Sequence, residues 1–256
     1  DWLLFFTEQG RAYWKKVYEV PEAGRAARGK AIVNFLEIGQ EEKIAALIPV
    51  REFREDRFLV FATERGIVKK TNLAAFSNPR AGGIIGIRIE EGDRLIGVRL
   101  TEGRNELMLI TRQGMSIRFH EDQLRDQGRD TIGVKGIELA RDNDAVVAIE
   151  VVDPAATLLC ISENGYGKRT SFDEYRAQQR GGKGIITMKT SDRNGPVVAA
   201  HAVRDGDALM IITEHGQMIR IAVSEIRVIS RITQGVRVIQ LEEGDRVVSA
   251  TTVEPD

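Results

Sequence analysis

Five glycines, Gly10, Gly66, Gly114, Gly165 and Gly216, stand about 50 residues apart, each with a hydroxyl residue three positions before it and a short apolar run before that. The runs cover residues 3–6, 58–62, 107–110, 158–161 and 209–212. The turns read Thr7-Glu8-Gln9-Gly10, Thr63-Glu64-Arg65-Gly66, Thr111-Arg112-Gln113-Gly114, Ser162-Glu163-Asn164-Gly165 and Thr213-Glu214-His215-Gly216. Glycine in such a hairpin answers to a positive φ that a Cβ resists. One turn of this kind says little, but five at a shared period define a repeat architecture.

The second half of each repeat is also shared: a glycine loop, an apolar segment, an acidic turn and a further apolar segment. In the second repeat these are Ala81-Gly82-Gly83, residues 84–89, Glu91-Gly92-Asp93 and residues 95–100; the fifth has Thr233-Gln234-Gly235, 236–241, Glu243-Gly244-Asp245 and 247–253. The first repeat follows the same plan, with an apolar segment at 31–36. Four short strands in each 50-residue unit is the arithmetic of a propeller blade. The expected fold is therefore all-β, propeller-like, with about twenty strands in repeats at 1–50, 51–100, 101–152, 153–203 and 204–256 of one domain. Helix is limited to a turn or two within 16–28 and 172–179.

The chain holds 37 basic and 38 acidic residues, so its net charge makes no case for an anionic partner. Placement does. Just past the turns lie Lys15 and Lys16, Lys69 and Lys70, Arg118, Lys168 and Arg169, and Arg220. The glycine loops and their surroundings add Arg25, Arg28, Lys30, Arg80, Lys135, Arg176, Arg180, Lys183, Arg231 and Arg237. Residues 165–189 carry six cations (Lys168, Arg169, Arg176, Arg180, Lys183, Lys189) against Asp173 and Glu174, whereas residues 37–56 are acidic. Positions that recur in every repeat fall at the same height on every blade, so these cations should form an arc. An arc of charge with few aromatic residues between suits the backbone of duplex DNA better than stacked single-stranded bases.

The most cationic loop is Gln179-Arg180-Gly181-Gly182-Lys183-Gly184, in which Gly182 aligns with Gly29, Gly83, Gly133 and Gly235. It is not a phosphate-binding P-loop, which needs a hydroxyl residue after the lysine. His120, His201 and His215 are scattered and no metal site is expected. The acidic turns read as solvated hairpins rather than calcium loops. Cys160 sits in an apolar run, which suits a core residue in a reducing compartment. No apolar run reaches the roughly 18 residues of a membrane span, and a cytoplasmic location is expected. No nucleophile and base are paired, so no catalysis is assigned.

With these repeats in view, the chain resembles the C-terminal domain of the DNA gyrase A subunit. The resemblance rests on the blade pattern, residues 17–29, the segment Asn164-Gly165-Tyr166-Gly167-Lys168-Arg169-Thr170 and the loop at 178–184. It implies a β-pinwheel, a propeller relative whose blades exchange strands, with six blades in the family. It also implies wrapping of DNA around a basic perimeter in support of negative supercoiling, beside the B subunit and the rest of the A subunit. ATP and magnesium would belong to those other parts, with no cofactor here. Five repeats are visible, the first resembling the family's second blade, so a first blade is expected to precede Asp1. The family's box of glutamine, two arginines, two glycines, lysine and glycine is matched at 178–184 except at Gln179. The C-terminal domain of topoisomerase IV and a chromosome-condensation-regulator-like, protein-binding propeller are the alternatives.

Overall fold

The computed structural model describes residues 1–22, 31–39, 41–139 and 143–253. Every turn glycine is flanked by strands. Repeat 1 supplies β1 (Trp2–Thr7), β2 (Arg11–Lys16) and β3 (Ile44–Val50); repeat 2 supplies β4 (Phe58–Thr63), β5 (Ile67–Asn72), β6 (Ile84–Ile85) and β7 (Leu95–Thr101). Repeat 3 supplies β8 (Glu106–Thr111), β9 (Met115–His120), β10 (Val134–Lys135) and β11 (Val146–Val151). Repeat 4 supplies β12 (Thr157–Ser162), β13 (Tyr166–Ser171), β14 (Ile185–Ile186) and β15 (Val197–Val203), and repeat 5 supplies β16 (Ala208–Thr213), β17 (Met218–Ala222), β18 (Val236–Arg237) and β19 (Val247–Val253). Among the described residues there is no α-helix, only short 3-10 turns such as Phe172–Glu174. None is long and apolar enough to cross a membrane.

The sheets do not coincide with the repeats. Their orders are β3-β1-β2-β6, β7-β4-β5-β10, β11-β8-β9-β14, β15-β12-β13-β18 and β19-β16-β17. In four of them the short outer strand comes from the following repeat, which is the exchange of a pinwheel. The apolar segments at 84–89, 134–139, 185–189 and 236–241 were each expected to be a full strand, yet each pairs over two residues only. The chain leaves the edge there because its next amides turn to the preceding hairpin. Gly10 O accepts from the N–H groups of Gly86 (2.8 Å) and Ile87 (3.1 Å), and Gly114 O from Thr187 (2.8 Å) and Met188 (3.2 Å). In repeat 1 the corresponding stretch holds a 3-10 turn, Ile32–Asn34.

The turn glycine therefore answers to two demands. Gly114 has φ +78°, and a Cβ on it would lie 2.0 Å from Met188 O. The hydroxyl residue three positions earlier closes the same turn: Thr7, Thr63, Thr111 and Thr213 Oγ1 accept the N–H of the residue after the glycine at 3.2–3.3 Å. The acidic turns complete the hairpin end. Asp93 Oδ1 accepts from the Arg65 N–H (3.0 Å), Asp144 Oδ1 from Gln113 (2.9 Å) and Asp245 Oδ1 from His215 (3.0 Å).

The chain falls into two compact units, 1–104 with 124–134 and 105–123 with 135–256. In the first, Leu4, Phe6 and Trp14 pack against Leu59, Phe61, Phe76 and Leu95. Phe6 meets Phe61 and Phe76 edge-on at 5.4 and 5.8 Å between centroids. In the second, Met108 and Ile110 pack with Leu158, Cys160, Tyr175 and Met188, while Leu159 and Ile161 pack with Leu209 and Ile211. Neighbouring positions along β12 are buried on both sides, Leu158 and Cys160 in one cluster and Leu159 and Ile161 in another, as expected of a strand sandwiched between sheets.

Candidate nucleic-acid interface

The cations just past the turns divide by burial. Lys69 and Lys168 are fully buried at 0% exposure. Each lies three residues beyond its turn glycine, and its ammonium crosses to the glycine loop of the next repeat. Lys69 Nζ donates to Gly86 O (2.6 Å), Gly128 O (3.2 Å) and Arg129 O (2.6 Å). Lys168 Nζ donates to Ser230 O (2.9 Å), to Arg231 O and to Thr233 Oγ1 (3.3 Å). Burial pushes Lys69 down from the usual lysine range to about 7 and Lys168 to about 8. Three acceptors matched to the three protons of an ammonium oppose that shift.

One position further on, Arg169 is buried, with Nε on Ile226 O (2.8 Å) and its NH1 on Asp205. Arg118 NH1 donates to Phe172 O (2.8 Å) and Tyr175 O (3.1 Å), while its NH2 meets Glu106. Lys70 is buried against the Phe58 ring at 5.0 Å. Lys69, Lys70, Lys168 and Arg169 are thus buried and Arg118 half-buried, and all five brace the fold from within. Their charge is taken up by backbone carbonyls, carboxylates and a ring face of the protein itself.

The other candidates face solvent. Arg80, Lys135, Arg176, Lys183, Arg220 and Arg237 are exposed, and Lys15, Lys16, Arg180 and Arg231 are half-buried. Lys15 Nζ lies 5.2 Å from the Phe35 centroid and Lys16 Nζ 3.5 Å from that of Trp2. Arg25, Arg28 and Lys30 lie outside the described residues.

The loop at 179–184 is fastened by its backbone. The Arg180 N–H donates to Gln123 Oε1 (2.8 Å), and the Gly181 N–H donates to Gly136 O (2.7 Å). Gly182 O accepts from the Glu138 N–H (2.9 Å). Its repeat-equivalent glycine is Gly184, not Gly182. Gly83, Gly133, Gly184 and Gly235 each have positive φ and each immediately precede a short outer strand. A Cβ at Gly184 would come within 2.3 Å of Ser116 O, and one at Gly133 within 2.5 Å of Val68 O. The extra glycines at 181 and 182 obscure this alignment in the sequence.

Counting back four residues from that glycine reaches an arginine in three loops, of which the clustering of charge singles out Arg180 and Arg231 but not Arg129. Arg129, Arg180 and Arg231 occupy this position in three successive loops. Each sends NH1 to the second residue of the short strand supplied by the preceding loop: Arg129 to Ile85 O (3.3 Å), Arg180 to Lys135 O (2.6 Å) and Arg231 to Ile186 O (2.5 Å). The intervals of 51 residues between them are the signal that the sequence offers.

Sheets built on a shared hairpin, trading an outer strand with the next repeat and carrying an arginine at three of the four exchanges, define a repeat protein of the β-pinwheel class. A family model described as DNA gyrase C-terminal domain, beta-propeller, matches residues 1–51, 57–102, 105–153, 156–204 and 207–254, one match for each repeat. The chain belongs to this DNA gyrase C-terminal domain family. The DNA gyrase A subunit of Salmonella typhimurium is 47% identical over 253 residues, covering 99% of this chain and 29% of that protein. The A subunit of Mycolicibacterium smegmatis gyrase is 43% identical over 251 residues, covering 97% and 30%. A solved C-terminal domain of DNA topoisomerase IV superposes with a TM-score of 0.89 at 29% identity, covering 99% of this chain and 79% of that one. The chain thus spans about three tenths of the length of these gyrase relatives.

Proposed function

We propose that the chain binds duplex DNA by its phosphate backbone, without reading base sequence, and bends or wraps it in support of negative supercoiling by a gyrase. The observation that carries this reading is the arginine repeated at the strand exchange. Arg129, Arg180 and Arg231 each commit one N–H to a carbonyl, which fixes the guanidinium at the outer strand and leaves further donors to meet phosphate. Arg80, Lys135, Arg176, Lys183 and Arg237 lie exposed in or beside the same loops. The partners in this reading are duplex DNA, the B subunit and the rest of the gyrase A subunit, in the bacterial cytoplasm. ATP and magnesium act in those other parts, and this segment needs no cofactor and performs no catalysis of its own.

Bending 20–30 base pairs by 40–90° costs about 1–6 kcal/mol, and one exposed ion pair contributes about 1 kcal/mol or less. Several loops must act together, so loss should be graded. The test is equilibrium binding of a linear duplex over a range of salt, with end-to-end energy transfer reporting the bend, for wild type and Arg129→Gln/Arg180→Gln/Arg231→Gln. The triple variant is expected to lower the magnitude of the salt slope by about 2 to 3, at about 0.9 for each phosphate no longer neutralised, and to relax the bend. Weak, salt-insensitive binding by the wild type is the behaviour of a protein-binding propeller and overturns the reading.

A further inference from the structure

Tyr166 opens β13 with its ring buried at 4% exposure. Its hydroxyl oxygen accepts from two guanidiniums, Arg193 Nε at 3.2 Å and Arg237 NH2 at 3.2 Å. Both also stack on the ring, at 5.3 and 5.6 Å from the guanidinium carbon to the centroid. Arg237 stands directly across from Tyr166 in the β13–β18 ladder. Arg193 is held by its neighbour Asn194, whose buried side chain donates to Lys189 O (3.0 Å) and Gln234 O (3.1 Å). The two cations are therefore placed by rigid elements and not by chance contact of surface side chains.

Two features of this arrangement are unbalanced. First, neither arginine forms an ion pair among the described residues, although Arg88, Arg94, Arg204 and Arg246 all do. Two guanidiniums bonded to one oxygen hold like charges together, with no described carboxylate between them. Second, the phenol oxygen takes both its bonds as an acceptor and arginine cannot accept, so the Tyr166 O–H keeps a proton with no acceptor among the described residues. Forked guanidiniums converging beside a hydroxyl donor match an oxyanion with several acceptor oxygens. The trio is particular to this blade: Arg11, Ile67, Met115 and Gln217 follow the other turn glycines.

We propose that Tyr166, Arg193 and Arg237 form one phosphate-binding site that takes a phosphodiester of the duplex DNA backbone on the fourth blade. This rests on the DNA-binding reading above and adds a discrete contact to it. Bonds from the two arginines hold the phenol below its ordinary ionisation range, and a phosphate seated in the fork would raise it. Tyr166 is a direct contact through its hydroxyl and also sets the two guanidiniums.

The experiment uses the 256-residue chain in three forms: wild type, Arg193→Gln/Arg237→Gln and Tyr166→Phe, each checked for an unchanged melting transition. Duplex binding is measured across about 50–200 mM salt, and the tyrosine ionisation is followed by NMR with and without duplex. The double variant should lower the magnitude of the salt slope by about 0.9, the amount for one phosphate. Tyr166→Phe, which keeps the ring under the arginines, should weaken binding about 2- to 12-fold, the range of one hydrogen bond. Duplex should move the Tyr166 ionisation to higher pH. If wild type binds DNA with a steep salt slope that the double variant shares, the site is overturned and the DNA reading stands. If duplex does not bind but millimolar inorganic phosphate alone moves the Tyr166 ionisation, the fork serves small phosphates and both the DNA source and the DNA reading fall.

Discussion

Replacing Lys69 with methionine removes the ammonium while keeping a chain of similar length against the Phe61 ring, which Nζ approaches to 5.2 Å from the centroid. Three carbonyls then lose their donor. The bond to Gly86 O is buried, and an acceptor left unsatisfied there costs about 1–3 kcal/mol. The bonds to Gly128 O and Arg129 O are part-buried, so water recovers some of each loss, leaving about 0.5–1.5 kcal/mol apiece. Against this stands relief of the cost of burying a charge. A net destabilisation of about 2–4 kcal/mol follows, a large fraction of the stability of any domain. Urea unfolding should register it as a lower midpoint with an unchanged slope. Amide hydrogen exchange should show the loss concentrated where the glycine loop is latched. A change below about 1 kcal/mol, or exchange that rises evenly over the unit, would refute the assignment of Lys69 as a brace. Ile117 and Ile219 stand at the same offset from Gly114 and Gly216, so an apolar side chain is sterically acceptable there and the loss measures the missing donors.

Two further outcomes separate effects that look alike in the sequence. Gly114→Ala and Gly216→Ala place a Cβ in turns of nearly equal φ, +78° and +83°, but only the first meets an atom, Met188 O at 2.0 Å. Gly216→Ala should cost about 1–2 kcal/mol of backbone strain, and Gly114→Ala clearly more, as thermal melts of the two will report; equal losses would mean the close approach is immaterial. A hydrogen bond from Arg204 holds the Asp153 carboxyl below its ordinary range. Its folded pKa is depressed, so the stabilisation is complete above the unfolded value of about 3.9 and is lost as pH falls through the folded one. The stability gap between wild type and Asp153→Asn should be level from neutral pH down to about 5 and close below it. A gap that widens on acidification would contradict the pairing.

The repeat plan is legible in the sequence because its determinants are local. A glycine with positive φ in every repeat, and a hydroxyl three positions before it that bonds the backbone four residues ahead (a threonine in four repeats, Ser162 in the other), leave the same mark, and β1, β4, β8, β12 and β16 follow from it. The short outer strands are overestimated because an apolar segment looks alike whether it continues along a sheet edge or turns its amides to a hairpin carbonyl, as at Gly86 and Ile87. The cations divide for a related reason. Lys69 and Lys168 are indistinguishable from Lys15 by composition, and only the fold brings three acceptor oxygens within reach of one ammonium. Arg129 escapes notice because Asp126 and Asp130 beside it offset the charge of its loop, although its interval to Arg180 and Arg231 is open to inspection. Tyr166 stands out in the sequence only as part of a motif, since nothing in the linear order says that Arg193 and Arg237, 27 and 71 residues away, converge on its hydroxyl.

The outward displacement of one short strand per repeat has a consequence for the order of synthesis. As the chain emerges, the first sheet can assemble β1, β2 and β3 alone, but its edge stays open until Ile84 and Ile85 have been made, well into the next repeat. The same dependence runs from the third repeat to the fourth and from the fourth to the fifth. A ribosome pausing at a repeat boundary therefore leaves one strand edge unpaired, and one pausing just beyond a glycine loop completes the preceding sheet while the next still lacks its long closing strand. A cut at a repeat boundary costs a sheet only its two-residue outer strand, whereas a cut just after a short strand severs the long strand (β7, β11, β15 or β19) that closes the next sheet, so the interleaving leaves no internal cutting point at which every sheet stays whole.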